Sequence, residues 1–237
     1  MIYTIISTIQ KNEIEENRDC RALRQPLPLL PKEIDDLIKN TKHEKLREER
    51  YLAYTSLLCG LKAFFSIDNA TVAKDREGKP YLVYDTEDHP EIHIGISHSE
   101  GMVAVSLSDE GEIGVDIQRK IPDKLVERLS NRFFGDIEVH SEDIGIKYYF
   151  CYLSENEALL EETILENADH KEYTTRWAYS ESILKLYGKG FGNYIILPEL
   201  VKQSISETKK STDNSWIITN SIKNVNKRLQ KNTRIKG

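Results

Sequence analysis

The sequence predicts an α+β fold built from two similar halves. Three short runs between residues 92 and 118 are strand-like, and glycines and acidic residues separate them, which is typical of an antiparallel meander. Helical periodicity precedes this region over 32–65 and follows it in the second part of the chain. Because the order of helices and strands recurs, we expect an N-terminal half over 1–115 and a C-terminal half over 116–237.

The predicted elements follow in order along the chain. "IYTIISTIQ" predicts a first strand, and three prolines after it indicate a loop. The helical segment over 32–65 contains the apolar stretch "YLAYTSLLCGLKAFF", which predicts a buried helix, and "DREGKPYLVY" predicts a turn that leads into a strand. Further helices are predicted near 124–129, 144–165 and 175–186, and then strands in "GNYIILPEL" and "SWIITN". We expect about the last 15 residues to form a partly disordered tail.

Composition argues against several classes of protein. The chain has 237 residues, 39% of them hydrophobic, and a formal net charge of −6, which disfavours a disordered chain and a protein built mainly to bind nucleic acid. No apolar run approaches the ~20 residues of a membrane span, and the first residues lack the pattern of a signal peptide. Cys20, Cys59 and Cys151 are widely spaced, which favours reduced thiols. We expect a cytoplasmic monomer that binds neither nucleic acid nor membranes.

Three stretches carry side chains that could perform chemistry. In "GVDIQRK", Asp116 and Gln118 would lie on one face of a strand, where their oxygens could hold a cation. In "RWAYSESILKLYGKG", Glu181 and Lys185 are four residues apart on one face of a helix, although such a pair can also be an ordinary surface ion pair. In "GISHSEGMVAV", His98 lies at the end of a strand, and a lone histidine is more often structural than catalytic.

Five short motifs together resemble those of a known enzyme family. They are "GKPYL" (78–82), "ISHS" (96–99), "GVDIQ" (114–118), "RFF" (132–134) and "WAYSESILK" (177–185). Their order and spacing over about 40–195 resemble the 4'-phosphopantetheinyl transferases of the surfactin-synthetase-activating type. Each motif alone is a weak signal, but the ordered set is a strong one. The resemblance implies two pseudo-symmetric halves, each a small, mostly antiparallel sheet packed with helices, with the site at their interface.

The resemblance also implies a reaction and its metal ion. Such an enzyme transfers 4'-phosphopantetheine from coenzyme A to a serine of an apo acyl or peptidyl carrier protein and releases adenosine 3',5'-bisphosphate. The implied cofactor is Mg²⁺, with Mn²⁺ as the alternative, and the implied metal ligands are Asp116, Gln118 and Glu181. Gln118 stands where many members have a third acid, so we expect weaker metal binding but not its absence. Asp116, Glu181 and Lys185 would be the catalytic residues.

The remaining implied contacts are with coenzyme A. The residues that would bind this substrate are Lys45, Lys79, Ser97, His98 and Lys185. Glu138 would have a supporting role after "RFFGD". Two positions depart from the family pattern, since Ser180 replaces a lysine and Thr55 replaces an arginine; Lys45 and Arg50 are candidates to compensate for the latter.

Two other functions stay open at this point. A non-catalytic relative could still bind coenzyme A or a carrier protein, and the departures at Gln118, Ser180 and Thr55 favour it. A metal-dependent nuclease is suggested by "DIQRK", which loosely resembles an acid-x-lysine core, but the acidic balance of the chain argues against it.

Overall fold

The computed structural model describes residues 1–9, 22–68, 70–84 and 89–224. The strands are β1 (Ile2–Thr8), β2 (Leu23–Pro26), β3 (Thr71–Lys74), β4 (Pro80–Val83), β5 (His93–Ser99), β6 (Met102–Ser108), β7 (Ile113–Arg119), β8 (Ile146–Leu153), β9 (Glu157–Thr163), β10 (Glu166–Asn167), β11 (Ser204–Lys210) and β12 (Trp216–Lys223). The helices are α1 (Lys32–Lys39), α2 (Glu44–Phe65), α3 (Asp123–Ser130), α4 (Tyr173–Leu186) and α5 (Leu197–Val201), and a 3₁₀ helix (Phe191–Ile196) precedes α5.

The strands of the described ranges form two main sheets and a separate hairpin. A six-stranded sheet has the order β2-β9-β8-β1-β6-β5, a four-stranded sheet has the order β10-β11-β12-β7, and β3 pairs with β4. In the six-stranded sheet, β1 is antiparallel to β6 and parallel to β8, so this sheet is mixed. Mixed sheets packed against helices confirm the predicted α+β class.

The layers explain why β1 is buried on both faces. On one face, Ile5 packs with Leu57 and Leu61 of the long helix α2. On the opposite face, Ile6 packs with Val115, Ile117, Trp216 and Ile218 of the four-stranded sheet. Because successive strand residues point to opposite faces, Ile5 and Ile6 contribute to different cores. Helix α4 covers the outer face of the four-stranded sheet through β7 and β12, which completes a helix-sheet-sheet-helix arrangement.

The predicted division of the chain crosses these sheets. The six-stranded sheet takes β1, β2, β5 and β6 from 1–115 and β8 and β9 from 116–237, and the boundary itself lies within β7. The division into two halves stays a prediction. The predicted disordered tail lies largely at 225–237, outside the described residues.

Two predicted elements were wrong, and a third consists of two helices rather than one. The helix predicted over 144–165 is the β8–β9 hairpin, since aromatic residues along "IKYYFCYL" fit a pleated surface and "EALLEET" pairs with strands on both sides. The strand predicted in "GNYIILPEL" is the 3₁₀ helix and α5, because Pro198 favours a helix start. The segment 32–65 contains two helices, α1 and α2, which are separated at 40–43.

Two general findings complete the fold. No helix in the described part of the chain is long and apolar enough to cross a membrane. Cys59 and Cys151 are buried free thiols, and burial raises their pKa values to about 12 and about 11 respectively. Cys20 lies outside the described residues.

Candidate active site

A buried carboxylate and a lysine meet where β7 faces α4. The Lys185 ammonium donates to Oδ1 of Asp116 over 2.6 Å and to the Ser97 hydroxyl oxygen over 2.9 Å. The Ser97 hydroxyl donates to the same Asp116 oxygen over 2.9 Å. Three of the predicted site residues, from β5, β7 and α4, are therefore in direct contact.

A glycine lets the two elements that carry these groups approach closely. A methyl group added at Gly114 would meet the carbonyl oxygen of Ser182 and would lie 2.5 Å from the backbone nitrogen of Leu186. Only a residue without a side chain fits between β7 and α4 at this point. Because Gly114, Asp116 and Gln118 alternate with Val115 and Ile117, which pack in the core, all three face the α4 side of the strand.

The end of α4 fixes the position of Lys185. The helix ends at Leu186, the chain turns away at Gly188, which has a φ of +62°, and the backbone nitrogen of Lys189 donates to the carbonyl of Leu184 over 2.8 Å. The ammonium of Lys79 donates to the carbonyl of Leu186 over 2.8 Å, which satisfies a further carbonyl of the last turn.

The second oxygen of Asp116 is the main unsatisfied group of the site. Oδ2 is buried, and it has no hydrogen-bond partner among the described residues. Burial raises the pKa of Asp116, and the opposing effects of Lys185 and the Ser97 hydroxyl do not cancel this rise. A buried carboxylate oxygen without a donor suits a bound cation, because a cation would supply the missing positive partner.

Glu181 lies near this carboxylate on the same face of α4 as Lys185. Burial raises the pKa of Glu181, and repulsion from Asp116 raises it further, while Lys185 lowers it. Two buried carboxylates, one of which raises the pKa of the other, are a suitable pair of hard oxygen ligands. Asp116 and Glu181 can therefore hold a divalent cation from β7 and α4.

Gln118 is the third residue on this face. Its side chain is half-buried, and its amide nitrogen donates to the carbonyl of Arg119 over 3.1 Å. Because an amide is neutral, it adds no charge to the pair of carboxylates. Within the described ranges, no group of three or more His, Cys, Asp and Glu side chains could hold a metal ion.

A cleft with a cavity volume of about 330 Å³ opens beside Lys185. It lies between α2, the β3–β4 hairpin, β5, β7 and the segment after α4. The basic side chains in its wall are Arg50, Lys74, Lys79, His98, Lys185 and Lys189. The acidic ones are Glu49 and Glu77. The excess of cations makes the cleft suitable for an anionic ligand with several phosphate groups.

Lys79 is held in the cleft wall by two partners. Besides the Leu186 carbonyl, its ammonium donates to Oε2 of Glu112 over 2.9 Å, and Lys223 pairs with the same oxygen over 2.5 Å. Burial alone would raise the pKa of Glu112, but the hydrogen bonds from Lys223 and Lys79 outweigh it and lower the pKa to about 2. Lys79 therefore connects the β3–β4 hairpin to the end of α4.

His98 is held by an acid that the sequence analysis did not single out. Its Nδ1 lies 2.8 Å from Oε2 of Glu49, and the other oxygen of Glu49 accepts a hydrogen bond of 2.7 Å from the backbone of Gly101. Glu49 is only 5% exposed. A sequence signal existed, because Glu49 precedes Ala53 by four residues and Leu57 by eight, and both of these are buried on α2.

The other predicted residues lie away from the carboxylate pair. Lys45 lines a separate depression with Glu44, Glu48 and Glu100, so the structure does not place it in the cleft. Thr55 is buried in α2, while Arg50 lines the cleft. Ser180 is buried, and its hydroxyl donates to the carbonyl of Arg176 over 2.7 Å. Glu138 is exposed, and its carboxylate lies 3.7 Å from His140.

A pair of carboxylates beside a cation-lined cleft is an arrangement suited to phosphoryl-group transfer with a divalent metal. The chain is similar to 4'-phosphopantetheinyl transferases, which confirms the resemblance predicted from the motifs. It is 27% identical over 179 residues to the 4'-phosphopantetheinyl transferase gsp of Aneurinibacillus migulanus, and this match covers 68% of the chain and 64% of that protein. It is 26% identical over 162 residues to the putative 4'-phosphopantetheinyl transferase slr0495 of Synechocystis sp., and this match covers 60% and 57% respectively.

These similarities have a limited extent. The matched region spans less than two thirds of the length of either relative. No protein-family model matches the chain.

Proposed function

We propose that this chain transfers 4'-phosphopantetheine from coenzyme A to a serine hydroxyl of an apo carrier protein. The observation that carries the proposal is the buried Asp116 carboxylate, whose Oδ2 has no partner among the residues that the structure describes and lies beside a cleft lined with cations. Similarity to two proteins named as 4'-phosphopantetheinyl transferases supports the class of reaction. The carrier would be an acyl or peptidyl carrier protein.

The proposed chemistry is a single displacement at phosphorus. The carrier serine oxygen forms a bond to the β-phosphorus of coenzyme A, and the bond from that phosphorus to the bridging oxygen breaks. Adenosine 3',5'-bisphosphate leaves with the electron pair of the broken bond. The serine proton goes to Glu181 or to a water molecule beside it, and burial, which raises the pKa of Glu181, favours such a role.

The residues present fit a divalent metal. Asp116 and Glu181 would hold Mg²⁺, or Mn²⁺ in its place, and the side-chain oxygen of Gln118 would complete the set directly or through water. A bound divalent cation would neutralise charge on the pyrophosphate. Lys185 would stabilise negative charge on the leaving phosphate, since its ammonium lies both in the cleft wall and beside Asp116.

The cations of the cleft would bind coenzyme A. Lys79 and His98 lie in its wall, and Ser97 holds the Lys185 ammonium at its edge. Arg50 would replace the arginine that is missing at Thr55, and its place in the cleft wall supports this role. Lys45 would contribute only through the longer-range field of its charge.

The two-half architecture is part of the same proposal. In each part of the chain one long helix covers antiparallel strands, α2 over β1 and β6 and α4 over β7 and β12. The candidate site takes His98 and Lys79 from the first part and Asp116, Glu181 and Lys185 from the second. We further infer that the enzyme works as a cytoplasmic monomer and acts on carrier proteins rather than on nucleic acids or membranes.

Intact-mass spectrometry tests the proposal directly. The chain is incubated with coenzyme A, Mg²⁺ and a panel of apo carrier proteins, and we expect a carrier to gain the mass of one phosphopantetheine group. Glu181→Gln should abolish the gain, whereas Glu127→Gln, which removes an exposed carboxylate from α3, should not change it.

Other outcomes would contradict the proposal. Coenzyme A binding by calorimetry without transfer to any carrier would identify a non-catalytic binding protein. Cleavage of plasmid DNA with Mg²⁺, and no binding of coenzyme A, would identify a nuclease.

A further inference from the structure

Glu49 is a buried acid with both carboxylate oxygens committed. Oε1 accepts from the backbone nitrogen of Gly101 over 2.7 Å, and Oε2 lies 2.8 Å from Nδ1 of His98. The Glu49 side chain is 6% exposed, whereas that of His98 is 48% exposed and lines the cleft. The acid is thus buried against the histidine, although both residues contribute to the wall of the cleft.

The contact with Gly101 fixes the backbone beside His98. Glu100 and Gly101 form the tight turn between β5 and β6, with φ values of +49° and +88°. This combination of two positive φ values is typical of a two-residue hairpin turn. By holding the turn and the ring at once, Glu49 restricts both the end of β5 and the rotation of the imidazole.

The contact with His98 determines which ring nitrogen is available. A carboxylate can only accept, so Nδ1 of His98 must carry the proton that is donated to Glu49. The other nitrogen, Nε2, lies on the opposite side of the ring and is left for the cleft. When an anionic ligand also accepts from Nε2, both nitrogens are protonated and the ring is a cation between two anions.

We propose that Glu49 is a positioning residue for ligand binding, which holds His98 with Nε2 directed at a phosphate group of coenzyme A. This inference rests on the proposed function, because it takes coenzyme A as the occupant of the cleft. In this role Glu49 acts through the imidazole, which donates to it from Nδ1. A purely structural Glu49 would instead tie α2 to the β5–β6 turn without affecting how His98 binds.

A double-mutant cycle separates these two roles. Glu49→Gln keeps a carbonyl oxygen for the Gly101 nitrogen but removes the negative charge beside His98. The matched control is Glu48→Gln, which removes the neighbouring exposed carboxylate from the same turn of α2. Each change is made alone and together with His98→Ala, and calorimetry measures the affinity of every variant for coenzyme A and for adenosine 3',5'-bisphosphate.

We expect Glu49→Gln to weaken binding about tenfold, as the loss of one charge-assisted hydrogen bond would. In the His98→Ala background the same change should weaken ligand binding less than about twofold, since no imidazole remains to be oriented. Glu48→Gln should stay within about twofold in both backgrounds. An equal loss with and without His98, or no loss in either background, would overturn the positioning role but leave the proposed function intact.

Nuclear magnetic resonance of the unaltered protein gives a test that does not depend on a variant. In protein labelled with ¹⁵N-histidine, His98 should show a protonated Nδ1 when free and two protonated ring nitrogens when adenosine 3',5'-bisphosphate is bound. A free-state His98 protonated at Nε2 alone would overturn the inference. Absence of coenzyme A binding by the unaltered protein would overturn the inference and the proposed function together.

Discussion

The close approach of β7 to α4 at Gly114 leads to a prediction that connects packing with activity. Gly114→Ala places a methyl group against the backbone of α4, where it would lie 2.5 Å from the nitrogen and 2.9 Å from the Cα of Leu186. Ordinary contact begins at about 3.4 Å. The neighbours are backbone atoms that cannot rotate away, so the helix itself must move by about 1 Å.

A movement of this size would disrupt the carboxylate site. Lys185 and Asp116, now 2.6 Å apart, would separate beyond the range of a good hydrogen bond, and Glu181 would move with the helix. Overpacking of this kind costs about 1–3 kcal/mol. For a chain of this size, a loss of about 3 kcal/mol lowers the melting temperature by roughly 6–12 °C. The Mg²⁺ concentration for half-maximal transfer should rise together with this loss.

Circular dichroism and a Mg²⁺ titration of the transfer rate measure the two effects. Gly192→Ala is the matched control, because a methyl group there has no atom within 4 Å and should leave both quantities unchanged. If Gly114→Ala melts within about 1 °C of the unaltered chain and has the same Mg²⁺ midpoint, the close approach does not determine the geometry of the site.

Three further predictions concern charges at the site. Glu181→Gln should raise the melting temperature of the metal-free chain at about pH 8 but not at about pH 4, because a carboxyl with a raised pKa destabilises the fold only where it is ionised. A rise in melting temperature at both pH values would show that ionisation of Glu181 is not what destabilises the chain. Gln118→Glu should lower the Mg²⁺ midpoint of the transfer rate about fivefold if the added carboxylate contributes ~1 kcal/mol, and an unchanged midpoint would show that Gln118 does not act on the metal. Lys79→Met should destabilise the chain by about 1 kcal/mol at neutral pH, since Glu112 is partly exposed and screened. That difference in stability, measured by thermal unfolding, should disappear as pH falls toward the Glu112 pKa of about 2. A difference that stays constant with pH would show that the variant loses stability through its missing hydrogen bond to the Leu186 carbonyl instead.

The face on which each of Asp116 and Lys185 lies could be predicted from local patterns in the sequence, whereas their grouping in one site was implied only by the family resemblance. Alternation along "GVDIQRK" places Asp116 opposite the core residues, and a spacing of four places Glu181 and Lys185 together on a helix. The contact between Glu49 and His98 could not be predicted in this way. It depends on how α2 crosses the turn between β5 and β6, which no local pattern determines.

The difference between local patterns and contacts of distant segments also explains the errors in the predicted fold. The stretch "EALLEET" has a helix-forming composition, yet it is a strand because β2 and β8 supply hydrogen-bond partners on both of its edges. Parallel pairing of β1 with β8 joins distant segments, so it also left no local signal in either strand. By contrast, the strands β5, β6 and β7 follow one another closely, and their turns marked them in the sequence.

The place of β1 in its sheet has a consequence for how the chain acquires its structure during synthesis on the ribosome. This strand is made before both of its partners, since β6, which pairs with one edge, is made much later, and β8, which pairs with the other edge, is made later still. An apolar strand with two open edges is a template for association with other nascent chains. Long-range pairing of this kind slows folding, so β1 should be the segment most dependent on protection by chaperones until β8 has emerged.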